Sequence, residues 1–75
     1  MDQNYNEIYA ISEVYYIINK LDKEVRNKIP NEIYEFFMVN SDYEILKDLD
    51  ITNDNIENIT HEAKVLLKLI DIYIN

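Results

Sequence analysis

Apolar side chains recur at three- and four-residue steps over residues 7–21, and this period predicts an α-helix. The apolar positions are Ile8, Ile11, Val14, Tyr15, Ile18 and Leu21, and a polar stripe with a seven-residue repeat is formed by Asn6, Ser12, Glu13, Asn19 and Lys20. Taken by itself, the run VYYII is typical of a β-strand, but the flanking period outweighs it. We expect this helix to end near Lys20 or Leu21.

Pro30 is the only proline in a chain of 75 residues that contains no glycine. It is either a break between two helices or an element that a partner recognises. Asp22 is a suitable N-cap, so residues 22–29 predict a short helix whose apolar residues are Val25 and Ile29. A proline disfavours the α conformation of the residue before it and suits the first turn of a helix. We therefore favour a helix break at Pro30.

A third helix is predicted to begin at Pro30 and to cover PNEIYEFFMVN, with Ile33, Phe36 and Phe37 facing inward and Glu32 and Glu35 outward. Residues 40–59 follow, rich in Asn, Ser and Asp, and are typical of an irregular segment. Within them, YEILKDL fits one or two helical turns and an extended segment about equally well.

The same segment contains an acidic loop that partly resembles a calcium-binding loop. Its oxygen-bearing side chains at alternate positions belong to Asp50, Thr52, Asp54 and Asn58. The twelfth position, however, is His61 where a bidentate carboxylate is needed, and the sixth is Asn55 where glycine is usual. We interpret the segment as a solvated loop and keep weak calcium binding as a third hypothesis.

The final helix carries the strongest functional signal. Thr60 is a suitable N-cap and Glu62 lies in the first turn. One narrow polar stripe holds Lys64, Lys68, Asp71 and Asn75, and the apolar remainder is Val65, Leu66, Leu67, Leu69, Ile70, Ile72, Tyr73 and Ile74. That face is roughly twice as wide as a surface helix needs. Either this helix sits centrally, or its second face meets another molecule; we favour an interface, such as a homodimer.

The fold class expected from these patterns is all-α: a compact bundle of three to four helices that forms one small domain over residues 1–75. A chain of this size buries only about 60% of the surface that it exposes when unfolded. It contains no cysteine, so neither a disulfide nor a thiolate metal site can stabilise it. Its hydrophobic content of 48% is nevertheless well above that of disordered chains.

The net charge of −8 disfavours direct binding to nucleic acid, which needs clustered Lys and Arg. It suits solubility or association with a basic protein surface. The start MDQNYNE lacks the basic region of a signal peptide, and the longest apolar runs are too short to span a bilayer. We expect a cytoplasmic protein that does not bind membranes.

No residue set in the sequence predicts catalysis, a cofactor or a metal site. His61 is the only histidine, and HEAKV lacks the second histidine of a zinc-protease helix. Neither Ser12 nor Ser41 has a local signature that would pair it with His61 as nucleophile and base. The seven tyrosines, Tyr5, Tyr9, Tyr15, Tyr16, Tyr34, Tyr43 and Tyr73, fit the edge of a small core better than base stacking, although a binding face is an alternative.

The chain resembles a group of small helical proteins from clostridia-like bacteria that share E-V-Y-x-I-L, K-I-P and E-x-K patterns. The matching positions are Glu13, Val14, Tyr15, Ile17 and Ile18, then Lys28, Ile29 and Pro30, then Phe36 or Phe37, Asn40 and Asp42, and last Glu62 and Lys64. The resemblance implies a helical fold with a joint at Pro30. No activity is known for this group, so it implies no function.

Two functions follow as hypotheses. The first is a non-enzymatic regulatory or accessory module that binds a protein partner or a second copy of itself, with an interface formed by Tyr9 and Tyr16 on the first helix and Leu69, Ile72 and Tyr73 on the last. The second is an acidic inhibitor or decoy, encoded by a mobile element, that binds the basic groove of a nucleic-acid enzyme. Salt dependence separates the two, since binding through charges weakens in salt.

Overall fold

The computed structural model describes the backbone of residues 3–75 and the side chains from residue 6 onward. Over that range the chain forms five α-helices, one 3₁₀ turn and no strand, which confirms the all-α class. The helices are α1 (Gln3–Ile18), α2 (Lys23–Arg26), α3 (Asn31–Asn40), α4 (Tyr43–Asp48) and α5 (His61–Ile74), and the 3₁₀ turn covers Ile56–Asn58. The Tyr5 side chain lies outside the described residues.

Helix α1 lies at the centre of the fold and packs against α3, α4 and α5. Its side chains are buried on nearly every side, as expected for a helix that is apolar around most of its circumference. The buried apolar residues of α1 are Ala10, Val14, Ile17 and Ile18. Two members of the predicted polar stripe, Ser12 and Glu13, are buried as well, so their assignment to a polar stripe was wrong.

The turn after α1 begins two to three residues earlier than predicted. The helix ends at Ile18, and 3₁₀-type bonds from Lys20 N–H to Ile17 and from Leu21 N–H to Ile18 tighten the chain there. Asp22 occupies the N-cap position of α2, but its side chain accepts no capping hydrogen bond. With only backbone bonds to hold it, α2 is four residues long and shorter than the predicted 22–29.

Pro30 breaks the chain between α2 and α3, as predicted. It takes the N-cap position, so α3 begins at Asn31, one residue after the predicted start, and the Pro30 carbonyl accepts hydrogen bonds from Ile33 and Tyr34 N–H. Phe37 is buried, but the inward orientation predicted for Phe36 was wrong, because that side chain is 51% exposed. The two neighbours point about 100° apart around the helix, and α3 turns Phe37 toward the core.

The segment 40–59 contains helix α4, so the helical alternative for YEILKDL is the correct one. Asp42 caps this helix: its Oδ1 accepts hydrogen bonds from Glu44 N–H at 2.7 Å and Ile45 N–H at 3.4 Å. The rest of the segment is irregular apart from the 3₁₀ turn, and Ile51 and Ile59 hold it on the core.

Helix α5 begins after Thr60, whose hydroxyl accepts a hydrogen bond from Ala63 N–H at 3.2 Å, as the sequence predicts. Ala63 and Ile70 are buried, whereas Leu69, Ile72 and Tyr73 are exposed. The alternative that places the final helix at the centre is therefore wrong. No helix among the described residues is long and apolar enough to cross a membrane.

Candidate interaction surface and buried polar anchors

Exposed apolar side chains face each other across the gap between α3 and α5 and continue along the neighbouring turns, and we call this surface the α3–α5 patch. Phe36, Leu69 and Tyr73 line the gap, and Val39, Val65 and Ile72 lie three or four residues from them on the same helices. Ile72 is 72% exposed and Tyr73 is 66% exposed. Single exposed apolar residues are common on proteins, but several large ones on two adjacent helices are typical of a binding surface.

A groove of about 300 Å³ runs between the two helices of the patch. Ile33 and Phe36 line it on the α3 side, and Leu66, Leu69 and Tyr73 line it on the α5 side. The ring of Phe36 meets the ring of Phe37 edge-on, with their centroids 5.3 Å apart. Because Phe37 is buried, this contact supports Phe36 at the surface and gives the groove a defined wall.

The two outer edges of the patch carry opposite charges. Glu32 and Glu35 are exposed on α3, with Glu32 at the rim of the groove. Lys64 and Lys68 are exposed on the far side of α5, beyond Ile72. Among the described residues none of these four side chains has an ion-pair partner. The patch is therefore an apolar surface with an acidic edge and a basic edge.

Tyr9 and Tyr16 lie apart from this patch. Tyr9 is half-buried beside Ile45 and the carboxylates of α4. Tyr16 is half-buried in a depression that it shares with Ile51 and Ile56, and the Lys20 ammonium lies 5.0 Å from the centre of its ring. The five residues proposed as an interface from the sequence are thus distributed over different faces, and only Leu69, Ile72 and Tyr73 belong to the patch.

The sequence-based interface missed Phe36, Val39 and Val65. The sequence contained a signal for the first two. Phe36 and Val39 are three residues apart and share a helix face with Glu32 and Glu35, and such a mixed face is typical of a boundary between apolar and polar surroundings. The signal was not used, because Phe36 was assigned to the core together with Phe37.

Glu13 holds the start of α5 against α1. Its Oε1 accepts two hydrogen bonds, one from the Thr60 hydroxyl at 2.6 Å and one from the Thr60 backbone N–H at 3.2 Å. Glu13 is only 5% exposed, so these bonds replace water that the carboxylate has lost. The Thr60 hydroxyl in turn accepts from Ala63 N–H, so the side chain on α1 and the cap of α5 form one network.

Ser12 makes the corresponding contact with the start of α4. Its hydroxyl donates to the Ile8 carbonyl at 2.8 Å and accepts from the Asp42 backbone N–H at 2.9 Å. Adjacent polar residues of the central helix therefore hold the N-cap residues of two other helices. Since both side chains are occupied by backbone or capping groups, they act as structural anchors.

Tyr34 links α3 to the end of α1 through a hydrogen bond from its hydroxyl to Asn19 Oδ1 at 2.8 Å. Its ring lies 5.7 Å from that of Tyr15. The pKa of Tyr34 is raised, mainly by hydrogen bonding with the Tyr15 side chain and to a smaller extent by burial. These two effects outweigh the opposing effects of Arg26 and Asn19. Half-buried Tyr15, Tyr16 and Tyr34 match the predicted role of tyrosine at the core edge, whereas Tyr43 and Tyr73 are exposed.

The acidic loop that partly resembles a calcium-binding loop uses its polar side chains to hold its own backbone. Asn55 accepts a hydrogen bond from Thr52 N–H at 2.8 Å and donates one to the Asp50 carbonyl at 2.8 Å. The Thr52 hydroxyl accepts from Asp54 N–H at 3.2 Å. His61 is exposed, and the described residues contain no group of three His, Asp or Glu side chains that could hold a metal ion.

Exposed carboxylates dominate α4 and the loop after it. They belong to Asp42, Glu44, Asp48, Asp50, Asp54 and Glu57, whereas Lys47 is the one cation in this stretch of sequence. Lys47 pairs with Glu44 at 3.2 Å, which leaves the others as a negative surface. Helix α4 is attached to α1 at Ser12, and the loop packs against Tyr16 and Leu21 near the end of α1.

No family model, curated protein or solved structure matches this chain. The resemblance to the clostridial group stays a prediction, and a function must be argued from the geometry described above.

Proposed function

We propose that this chain is a small protein-interaction module, with a regulatory or accessory role, that binds another polypeptide through the α3–α5 patch. The observation that supports this most is the exposure of large apolar side chains on both walls of one groove. A protein interface typically has an apolar centre rich in aromatic residues and a charged rim. The patch has Phe36 and Tyr73 at its centre and glutamates and lysines at its edges.

A non-catalytic role agrees with the chemistry of the interior. Among the side chains that the structure describes, Ser12 and Glu13 are the buried ones able to act on a substrate, and both are engaged with the starts of α4 and α5. A catalytic group must instead point to a place where a substrate can sit. The proposal therefore assigns these residues to the fold and the exposed patch to the function.

Affinity capture with two matched variants tests the proposal. Ile72→Asp places a charge in the patch, and Tyr43→Asp places one on exposed α4, away from it. We expect wild type and Tyr43→Asp to retain a protein from the native host that Ile72→Asp loses. The captured protein is then purified and its affinity measured at low and high salt, with Tyr73→Ala as a second patch variant. Equal affinity for all four forms of the chain would contradict the proposal.

An acidic inhibitor or decoy is the second candidate, and the concentration of exposed carboxylates on α4 and its following loop favours it. Such a protein would present negative charge to the basic groove of a nucleic-acid enzyme. Binding of this kind weakens steeply with salt, whereas binding through an apolar patch changes little. Loss of the captured partner at high salt, together with full retention by Ile72→Asp, would support the decoy.

A further inference from the structure

We infer that the occupant of the α3–α5 patch is a second copy of this chain, in a two-fold dimer that pairs the lysine edge of each copy with the glutamate edge of the other. This inference rests on the proposed function and names its partner. It is carried by the opposite charges of the two edges and by the amount of surface that the chain exposes.

The charge pattern across the patch is self-complementary. A path across the patch starts at Glu35 and Glu32 on α3, crosses the apolar groove, and ends at Lys68 and Lys64 on α5. A two-fold axis that lies in the interface and runs along the apolar strip exchanges the two edges. Each acidic edge then faces a basic edge, and the apolar strips cover one another.

The charged groups around α5 do not cancel this pattern. Glu62 lies in the first turn of the helix, where it lines a depression with Val65 and Leu66 at one end of the patch. Asp71 follows the lysines at the far end of their stripe, where it accepts a hydrogen bond from Asn75. Helix α4 is attached to α1 at Ser12, and the loop after it packs against Tyr16 and Leu21 near the end of α1. At physiological salt, repulsion between these acidic surfaces in two copies is largely screened beyond about 8 Å.

The exposed area fits an unfilled interface. The chain exposes 5538 Å², whereas the usual scaling gives about 4,900 Å² for a folded monomer of its mass, 9.0 kDa. The difference is close to the roughly 800 Å² that each partner contributes to a standard interface.

Sedimentation equilibrium and light scattering over a wide concentration range test the dimer. We expect wild type to form a dimer in the micromolar range and Ile72→Asp to weaken it by about a hundredfold or more, since it buries an unpaired charge. Tyr43→Asp is the control and should dimerise as wild type does. All variants are first compared by circular dichroism and urea unfolding at low concentration, where the monomer is present.

Exchanging the charges of the edges tests the arrangement. K64E/K68E and E32K/E35K each place like charges opposite one another, so we expect each to weaken dimerisation about tenfold or more. The variant with all four substitutions restores opposite edges and keeps the net charge of the wild type, so its affinity should return to within about threefold of wild type. D54K/E57K changes the net charge as E32K/E35K does but lies outside the patch, and it should not weaken the dimer.

Three results would overturn the inference. One is a wild type that stays monomeric at several hundred micromolar. Another is a dimer that Ile72→Asp leaves intact, because a different surface would then form it. The third is a four-residue exchange that is weaker than either pair alone. If the chain is monomeric yet a purified partner binds wild type and not Ile72→Asp, the inference fails while the proposed function stands; if neither binding occurs, both fail.

Discussion

Helices α1 and α5 are both more apolar than a surface helix requires, yet their surroundings differ. Helix α1 is covered by α3, α4 and α5, and even its Ser12 and Glu13 are buried. Helix α5 buries the side that faces α1 and leaves Leu69, Ile72 and Tyr73 exposed. In a chain this small, the other helices suffice to surround one apolar helix, and the second apolar helix has a face left over.

The difference assigns separate tasks to the two helices. Excess apolar surface on α1 is used for stability, because each buried side chain contributes about 1.5–3 kcal/mol to folding. The same kind of surface on α5 contributes little to the monomer and is available for binding. Substitutions that compare the two helices directly can break or sharpen this distinction.

The largest difference is expected between Ile18→Ala and Ile72→Ala. Ile18 is 0% exposed on α1, so its truncation should lower the free energy of unfolding by about 2–5 kcal/mol. Ile72 is mostly exposed, and the same change should alter it by less than about 0.5 kcal/mol in the monomer. Urea unfolding at low protein concentration measures both. If Ile18→Ala does not fold, Ile18→Val should still cost about 0.5–1.5 kcal/mol. Equal losses for the two alanine variants would refute the distinction.

Glu13→Ala should be the next largest effect. It removes a buried carboxylate that accepts two hydrogen bonds from Thr60, so we expect a loss of about 2–3 kcal/mol in the free energy of unfolding. Glu7→Ala, at an exposed position of the same helix, is the control and should change it by less than about 0.5 kcal/mol. A similar small change for Glu13→Ala would mean that the contact with α5 is not stabilising.

The Glu13–Thr60 contact also predicts non-additivity. Thr60→Ala alone should cost about 1 kcal/mol through loss of the α5 cap. Combined with Glu13→Ala it should cost less than the sum, by about 1 kcal/mol, because both changes disrupt one network. Additive losses in a double-mutant cycle would show that the cap of α5 and its attachment to α1 are independent.

Ser12→Ala should have a smaller effect than Glu13→Ala. It leaves the Asp42 N–H without its acceptor, and we expect a loss of about 1–2 kcal/mol in the free energy of unfolding. Hydrogen exchange should show faster exchange at α4 while α5 stays protected. Uniform acceleration across the chain would instead indicate that α4 and α5 open together.

The smallest effect concerns Tyr34 at alkaline pH. Its pKa is raised in the folded state, so the native protein retains the hydroxyl proton more strongly than the unfolded chain does. The corresponding stability is fully present below the unfolded pKa of about 10 and is lost as the pH rises through the folded pKa. Tyr34→Phe should therefore reduce the alkaline fall in the urea midpoint, and Tyr43→Phe, at an exposed tyrosine, should not. A fall of the same size in all three proteins would contradict the assignment.

Most of the fold could be predicted where the signal is local. The break at Pro30 and the cap at Thr60 depend on the backbone preferences of a few neighbouring residues, and both predictions were confirmed. The helical period of α1 was likewise recognisable. The inward prediction for Phe36 failed because Phe36 and Phe37 are adjacent and equally apolar, and only the position of α1 decides which one is buried.

The patch could be predicted in part. The width of the apolar face of α5 identified Leu69, Ile72 and Tyr73 as candidates for an interface. Tyr9 and Tyr16 were predicted to belong to the same interface because α1 and α5 are both more apolar than a surface helix requires. The sequence does not indicate which of these apolar surfaces lie together in the fold. The fold places those tyrosines beside α4 and the segment that follows it.

The sequence by itself determined the all-α class, the helix break, the cap of α5 and the unusually wide apolar faces of α1 and α5, since these depend on periodicity and on local backbone chemistry. Only the tertiary structure decided which apolar helix is enclosed. It also decided that Ser12 and Glu13 are anchors, because a polar residue on a helix looks the same in sequence whether it meets water or a distant N–H group. That partner is 30 residues away for Ser12 and 47 for Glu13.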